Sequence, residues 1–294
     1  MSAPPPFGRL LSAMVTPFTP DLELDLDAAA RLARHLVDEL GHDGLVVSGT
    51  TGESPTTTDE EKLALLTTVV EAVGDRATVL AGVGTFETRH TCRLAQQAAG
   101  AGADGLLVVT PYYSKPPQSG LLRHFSTVAD ATELPVMLYD VPHRAGLAIA
   151  TDTMIELARH PRIMAVKDAK GDLAASSRVM AESDLAFYSG DDAMTLPLLA
   201  VGAVGVVGTS THFSGLGMRD LIAAHLAGDP ERALALHRRL LPILTGIFAA
   251  PGVILVKAGL ELQGRGVGGL RSPMVEATAA ERQALAGCLA AAGL

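Results

Sequence analysis

Short, nearly continuous apolar runs recur along the chain, and each is followed by a longer stretch whose apolar positions fall at helical spacing. The runs lie at residues 11–18, 44–48, 78–83, 105–110, 135–139, 162–169, 185–189 and 205–208. Their companions lie at residues 27–40, 58–73, 88–101, 121–131, 152–159, 173–181, 193–199 and 218–226. A short apolar run without polar alternation suits a strand covered on both faces, whereas three-and-four spacing suits a helix with one buried stripe. Asp25 or Asp27 can cap the first helix, and Asp59 with two glutamates opens the second. Each strand-then-helix unit is long enough for a right-handed crossover between parallel strands. Eight such units predict an α/β protein closed into a (β/α)8 TIM barrel. An open, doubly wound sheet is the competing arrangement, but no Gly-x-Gly-x-x-Gly follows the first run.

The pattern changes after residue 228, where no strand-like run remains. Helices are predicted at 229–249, 253–262 and 278–291, the last opened by a capping pair of Thr278 and Glu281. The expected organisation is therefore a disordered lead-in over 1–8, where three prolines stand in a row, a barrel over 9–228 and a C-terminal helical subdomain over 229–294. This subdomain packs on the barrel and offers a surface for a subunit contact.

Composition narrows the class. The chain has 294 residues, 48% of them hydrophobic, which suits a large α/β core. A net charge of −9, no basic run and 4% aromatic residues argue against a nucleic-acid partner. No apolar run reaches the roughly 20 residues of a membrane helix, and the N-terminus lacks the charged and apolar regions of a secretory signal. Cys92 and Cys288 have no metal-ligand spacing, and a cytoplasmic location is expected.

In such barrels chemistry sits at the C-terminal ends of the strands. Lys167 ends the sixth run, where strand alternation puts it on one face with Ile163 and Ala165. An amine among apolar neighbours loses its proton more readily and can attack a carbonyl. The plain alternative is a lysine reaching from a strand end to water. The other lysines, Lys62, Lys115, Lys170 and Lys257, fall on helices or loops, and none rivals Lys167 as a buried amine. The same rim gathers Thr50 and Thr51 after the second strand, Tyr113 after the fourth, Tyr139 and Arg144 around the end of the fifth, Gly190 after the seventh and Val207 at the eighth. Tyr112 and Tyr113 read as packing residues on composition alone, and Asp191 and Asp192 as N-caps of the seventh helix. No cluster of His, Asp and Glu supplies metal ligands, which favours activation through an iminium over a Lewis acid, with no metal expected.

Gly49-Thr-Thr-Gly-Glu-Ser54, Pro111-Tyr-Tyr113, Tyr139-x-x-Pro-x-Arg144, Val166-Lys167-Asp168 and Ser189-Gly-Asp-Asp192 stand in an order and spacing that resemble the dihydrodipicolinate synthase/N-acetylneuraminate lyase family of class I aldolases. The resemblance spans essentially the whole chain. It implies that Lys167 forms an imine with pyruvate and needs no cofactor beyond that covalent link. Thr50-Thr51 and Arg144 resemble the branch that condenses pyruvate with L-aspartate 4-semialdehyde to 4-hydroxy-tetrahydrodipicolinate, a step of lysine and diaminopimelate biosynthesis. The family's roles then fall on matching positions. Tyr139 would donate and accept protons, linked to Thr50 and to a Tyr113 from a neighbouring subunit. Thr51 would hold the pyruvate carboxylate and Arg144 the acceptor's. Backbone groups near Gly190 and Val207 would line the pocket.

A tyrosine borrowed across an interface implies a homo-oligomer, a dimer of dimers. Asp140, His143 and the segment 207–213 depart from the family's common pattern and leave the acceptor open. The alternatives are another pyruvate-dependent lyase or dehydratase of the family, acting on a sugar acid or hydroxyproline-like acid, and a barrel that has lost catalysis and only binds. Asp59, Lys62, Phe86 and His90 align with the family's lysine-inhibition pocket, and their identities imply weak or absent feedback by L-lysine.

Overall fold

The computed structural model of the chain describes residues 5–294. Among them, eight parallel strands close a barrel in sequence order: β1 (Leu10–Ala13), β2 (Gly44–Val47), β3 (Thr78–Gly82), β4 (Gly105–Val109), β5 (Val136–Asp140), β6 (Ile163–Asp168), β7 (Ala186–Ser189) and β8 (Gly205–Gly208). The ring closes by pairing Leu11 with Val207. Around it lie α1 (Leu26–Arg34), α2 (Asp59–Val73), α3 (Thr88–Gly100), α4 (Gln118–Asp130), α5 (Pro142–Ala145), α6 (Thr151–Leu157), α7 (Leu173–Glu182), α8 (Thr195–Ala200) and α9 (Thr211–Leu226). Then follow α10 (Pro230–Gly246), α11 (Gly252–Leu262) and α12 (Ala279–Ala292). No described helix is long and apolar enough to cross a membrane.

Strand alternation divides the core into two. Side chains such as Leu45, Val79, Leu106 and Leu138 face the helices, while Leu11, Val46, Leu80, Met137 and Ala165 fill the barrel. β6 breaks the expected alternation. Val136 pairs with Ile163 but Met137 with Ala165, so Met164 bulges out of register and is 43% exposed. Ile163 consequently faces the helices, and only Ala165 and Lys167 of the expected trio share the inner face.

The lead-in expected over residues 1–8 lies partly outside the described residues, which begin at Pro5. Phe7 is not loose: its ring is buried in the barrel interior, and its N–H donates to the Tyr188 hydroxyl at 3.3 Å. That hydroxyl donates in turn to the Gly8 carbonyl at 2.9 Å. An aromatic side chain thus plugs the barrel floor, at the end remote from the strand C-termini.

The helix starts follow their caps. Asp25 accepts from the Ala28 N–H, and the reciprocal pairs Thr58/Glu61 and Thr278/Glu281 open α2 and α12. α9 begins at Thr211, well ahead of the predicted residue 218. Gly215 and Gly217, which read as loop residues, serve close packing instead. A Cβ on Gly215 would stand 2.8 Å from His42 Cε1, and one on Gly217 3.0 Å from Leu240 Cδ2.

Candidate active site

A cavity of about 870 Å³ opens at the C-terminal ends of the strands. Lys167, Tyr139, Thr50, Thr51, Arg144 and Gly190 all line it. β5 and β6 place Tyr139 directly beside Lys167 in register, and the amine sits 4.4 Å from the centre of the phenol ring. Lys167 is 4% exposed. Burial draws its pKa down to about 8; the Asp192 carboxylate pulls the other way, and the Arg144 guanidinium adds to the lowering. Burial lifts the Tyr139 phenol above its ordinary value, opposed by Arg144 and by a hydrogen bond with the Thr50 side chain.

The two threonines ride on a compact turn after β2. The Gly52 and Ser54 N–H groups both donate to the Gly49 carbonyl, at 3.1 and 3.3 Å. Ser48 and Glu53, with φ of 55° and 54°, bracket the turn in left-handed backbone. Thr51 Oγ1 lies 3.3 Å from Thr209 Oγ1, which ties the turn to the chain leaving β8. Gly190 sits close against β6: its N–H donates to the Asp168 carbonyl at 2.7 Å, and a Cβ would crowd Lys167 Cγ at 3.0 Å. Arg144 rides on α5, a single turn that starts with Pro142 and ends at Gly146 in left-handed backbone.

Two expected residues lie elsewhere. Val207 is fully buried among the barrel's interior side chains, and Thr209 takes its place on the cavity wall. The cause is register, since the β8 residue paired with Leu11 points inward below the lysine layer. Tyr113 does not line the cavity of its own chain. It is 94% exposed, with φ of 68°.

Three residues have a larger part than the sequence suggested. Asp191 caps as expected, accepting from the Ala193 N–H, but Asp192 is buried and accepts from the N–H groups of Thr209 and Ser210 at 3.0 and 2.5 Å. Asp140 is also buried, and burial raises its pKa to about 6. Its Oδ1 accepts from the Ile149 N–H at 3.1 Å, and Lys170 Nζ, another cavity residue, stands 3.6 Å from Oδ2. Lys257, set aside above as a helix lysine, is 3% exposed and so as deeply buried as Lys167. The available signal was that Lys257 is the single polar residue within the apolar stretch Gly252–Leu260 of α11.

Among the described residues, no group of three or more His, Cys, Asp or Glu side chains gathers where it could hold a metal ion. At the surface between α2 and α3, His90 Nε2 pairs with Asp59 Oδ2 at 2.8 Å, and Lys62 Nζ donates to the Thr57 carbonyl at 2.5 Å. Phe86 stands exposed there, edge-on to Tyr112 at 5.6 Å between ring centres.

A closed parallel barrel with a buried amine beside a phenol at its C-terminal mouth defines a barrel of the carbonyl-chemistry type. The sequence model of the Dihydrodipicolinate synthetase family matches residues 6–292, and the chain belongs to that family. It is 66% identical over 290 residues to the 4-hydroxy-tetrahydrodipicolinate synthase of Acidothermus cellulolyticus, covering 99% of this chain and 94% of the relative. The dihydrodipicolinate synthase of Cyanidioschyzon merolae, solved with lysine bound, superposes with a TM-score of 0.96 at 41% identity, over 98% of this chain and 99% of that one. The chloride-inhibited enzyme of Acinetobacter baumannii, solved with pyruvate, superposes at 0.94 and 32% identity, over 98% and 99%.

Proposed function

We propose that this protein condenses pyruvate with L-aspartate 4-semialdehyde to 4-hydroxy-tetrahydrodipicolinate, through a pyruvate imine on Lys167 and without a cofactor. The observation that carries this reading is the pairing of a buried, readily deprotonated Lys167 with Tyr139 on the floor of the cavity. High identity to synthases along nearly the whole chain favours this acceptor over a sugar acid.

The neutral Lys167 amine attacks C2 of pyruvate, and loss of water gives an iminium. Tyr139 takes a proton from C3, leaving an enamine whose C3 attacks the aldehyde carbon of the second substrate. The alkoxide so formed takes the proton back through Tyr139. The substrate's own amine then attacks C2, closes the ring and expels Lys167 as a free amine. A phenol is a poor base by itself, and the Thr50 contact makes it one member of a relay rather than a lone group. Thr51, on the cavity wall, holds the pyruvate carboxylate. Arg144, at the rim, has the planar fork that a second carboxylate needs. Tyr113 completes the relay from a neighbouring subunit of a homo-oligomer, a dimer of dimers. The reaction is placed in the cytoplasm, in keeping with two unpaired cysteines, Cys92 and Cys288.

Borohydride reduction in the presence of pyruvate, followed by peptide mass spectrometry, tests this directly. Lys167 is expected to carry the adduct, and Lys167→Ala to lose it together with activity. An adduct that persists on another lysine in that variant overturns the assignment.

A further inference from the structure

Behind the threonine turn lies a second buried amine that the reaction does not use. Lys257 of α11 sets its Nζ 2.7 Å from Glu53 Oε1, and both residues are only 3% exposed. The same ammonium donates to the Gly269 carbonyl at 2.6 Å and lies 4.3 Å from the centre of the Phe18 ring. The other carboxylate oxygen of Glu53 accepts from the Arg271 N–H at 3.0 Å. Arg271 covers the Phe18 ring at 4.3 Å, donates to the Leu22 and Thr56 carbonyls, and pairs with Glu61 at 2.6 Å.

Glu53 closes the turn that carries Thr50 and Thr51, its N–H donating to the Thr50 carbonyl at 3.2 Å. Its backbone is held in the left-handed region, which a non-glycine residue adopts only when its surroundings enforce it. Those surroundings come from the far end of the chain. Val253 of α11 and Met274 also line the cavity beside the threonines. An apolar contact could slide by fractions of an ångström; a buried ammonium held between a carboxylate and the Gly269 carbonyl, with the other carboxylate oxygen held by the Arg271 N–H, has little freedom to move.

We propose that Glu53 and Lys257 are positioning residues, whose buried ion pair fixes the turn bearing Thr50 and Thr51 and makes the C-terminal helices part of the catalytic unit. The proposal rests on the reaction given above. It differs from a purely structural role because it locates the effect in pyruvate handling. Misplacing a binding group by about 1 Å costs on the order of 10²-fold in rate.

The test compares wild type, Glu53→Gln and the double variant Glu53→Gln/Lys257→Met, the last leaving no unpaired charge buried. Thermal midpoints establish folding, and kcat and KM are measured for each substrate well below those midpoints. Trapping of wild type by pyruvate and borohydride tests the reaction by itself. The double variant is expected to fold and still be trapped at Lys167 by saturating pyruvate. Its kcat/KM for pyruvate is expected to fall roughly 10- to 100-fold, with KM for the aldehyde changed less, because Arg144 rides on α5. A folded double variant whose kcat/KM for pyruvate stays within threefold of wild type overturns the proposal. Should it fail to fold, Glu53→Gln, which keeps the side chain's shape and one acceptor, decides by the same limit.

Discussion

Lys167 and Lys257 are equally hidden from water, yet they cannot do the same chemistry. Burial lowers the pKa of Lys257 as well, but a carboxylate at 2.7 Å opposes that shift and occupies its ammonium. Among the described residues no acidic oxygen lies within ion-pair distance of Lys167; Asp192 acts on it only as a nearby charge, and Arg144 opposes that charge. The attacking species is the neutral amine, so raising the pH through about 8 should convert free enzyme to its reactive form. We expect kcat/KM for pyruvate to climb nearly tenfold per pH unit below that value and level off above it. Steady-state rates from pH 6 to 9 check this, and a flat profile would show that Lys167 is already neutral at pH 6. Sequence singled out the lysine that is buried on the cavity wall beside Tyr139, because a strand end at the barrel mouth is legible as an apolar run closed by one amine. It could not supply the partners of Lys257 and Asp192, because a partner 204 or 17 residues away in the chain leaves no local trace.

At the scale of elements, the eight strands were legible because each is a short apolar run covered on both sides, as at β4, where every residue from Gly105 to Val108 is buried. Departures arose where a contact overrode the pattern. The Met164 bulge shifts one residue out of the β6 ladder, which period-two reading cannot foresee. α9 runs through two glycines that make room for His42, Leu40 and Leu240. Phe7 follows three prolines yet is drawn into the barrel floor by its ring. The edges of α2 and α3 carry a functional expectation of their own. Asp59 and His90 already satisfy each other, and the Lys62 ammonium puts a positive charge where a lysine ligand would bring another. L-lysine at up to about 1 mM should therefore leave the rate within about twofold of the uninhibited value, like charges at contact being repulsive by roughly 1 kcal/mol or more. A steady-state titration checks this, and half-inhibition below that concentration would overturn it.

At the scale of the whole molecule, the relay proposed for this protein draws on a second subunit. Tyr113 projects into solvent from left-handed backbone, a conformation that costs a non-glycine residue on the order of 1 kcal/mol or more and is often found at functional sites. Within its own chain it does not line the cavity. In a two-fold dimer built on this patch, the patch would meet its own copy, so whatever one subunit lent it would also receive. That symmetry makes a sharp prediction for mixed subunits. Lys167→Ala abolishes a site from within, whereas Tyr113→Phe weakens the site next door. A dimer of one subunit of each kind then holds one doubly defective site and one wild-type site, the latter pairing intact Lys167 with the tyrosine of the Lys167→Ala chain. When the two variants are unfolded together at equal concentration and refolded, about one site in four should be restored by random pairing. Activity is therefore expected to rise to roughly a quarter of wild type, above the mean of the two parents, with a KM for pyruvate matching wild type. A refolded mixture no more active than that mean would mean that each chain completes its own relay, and the exposed tyrosine would then need another explanation.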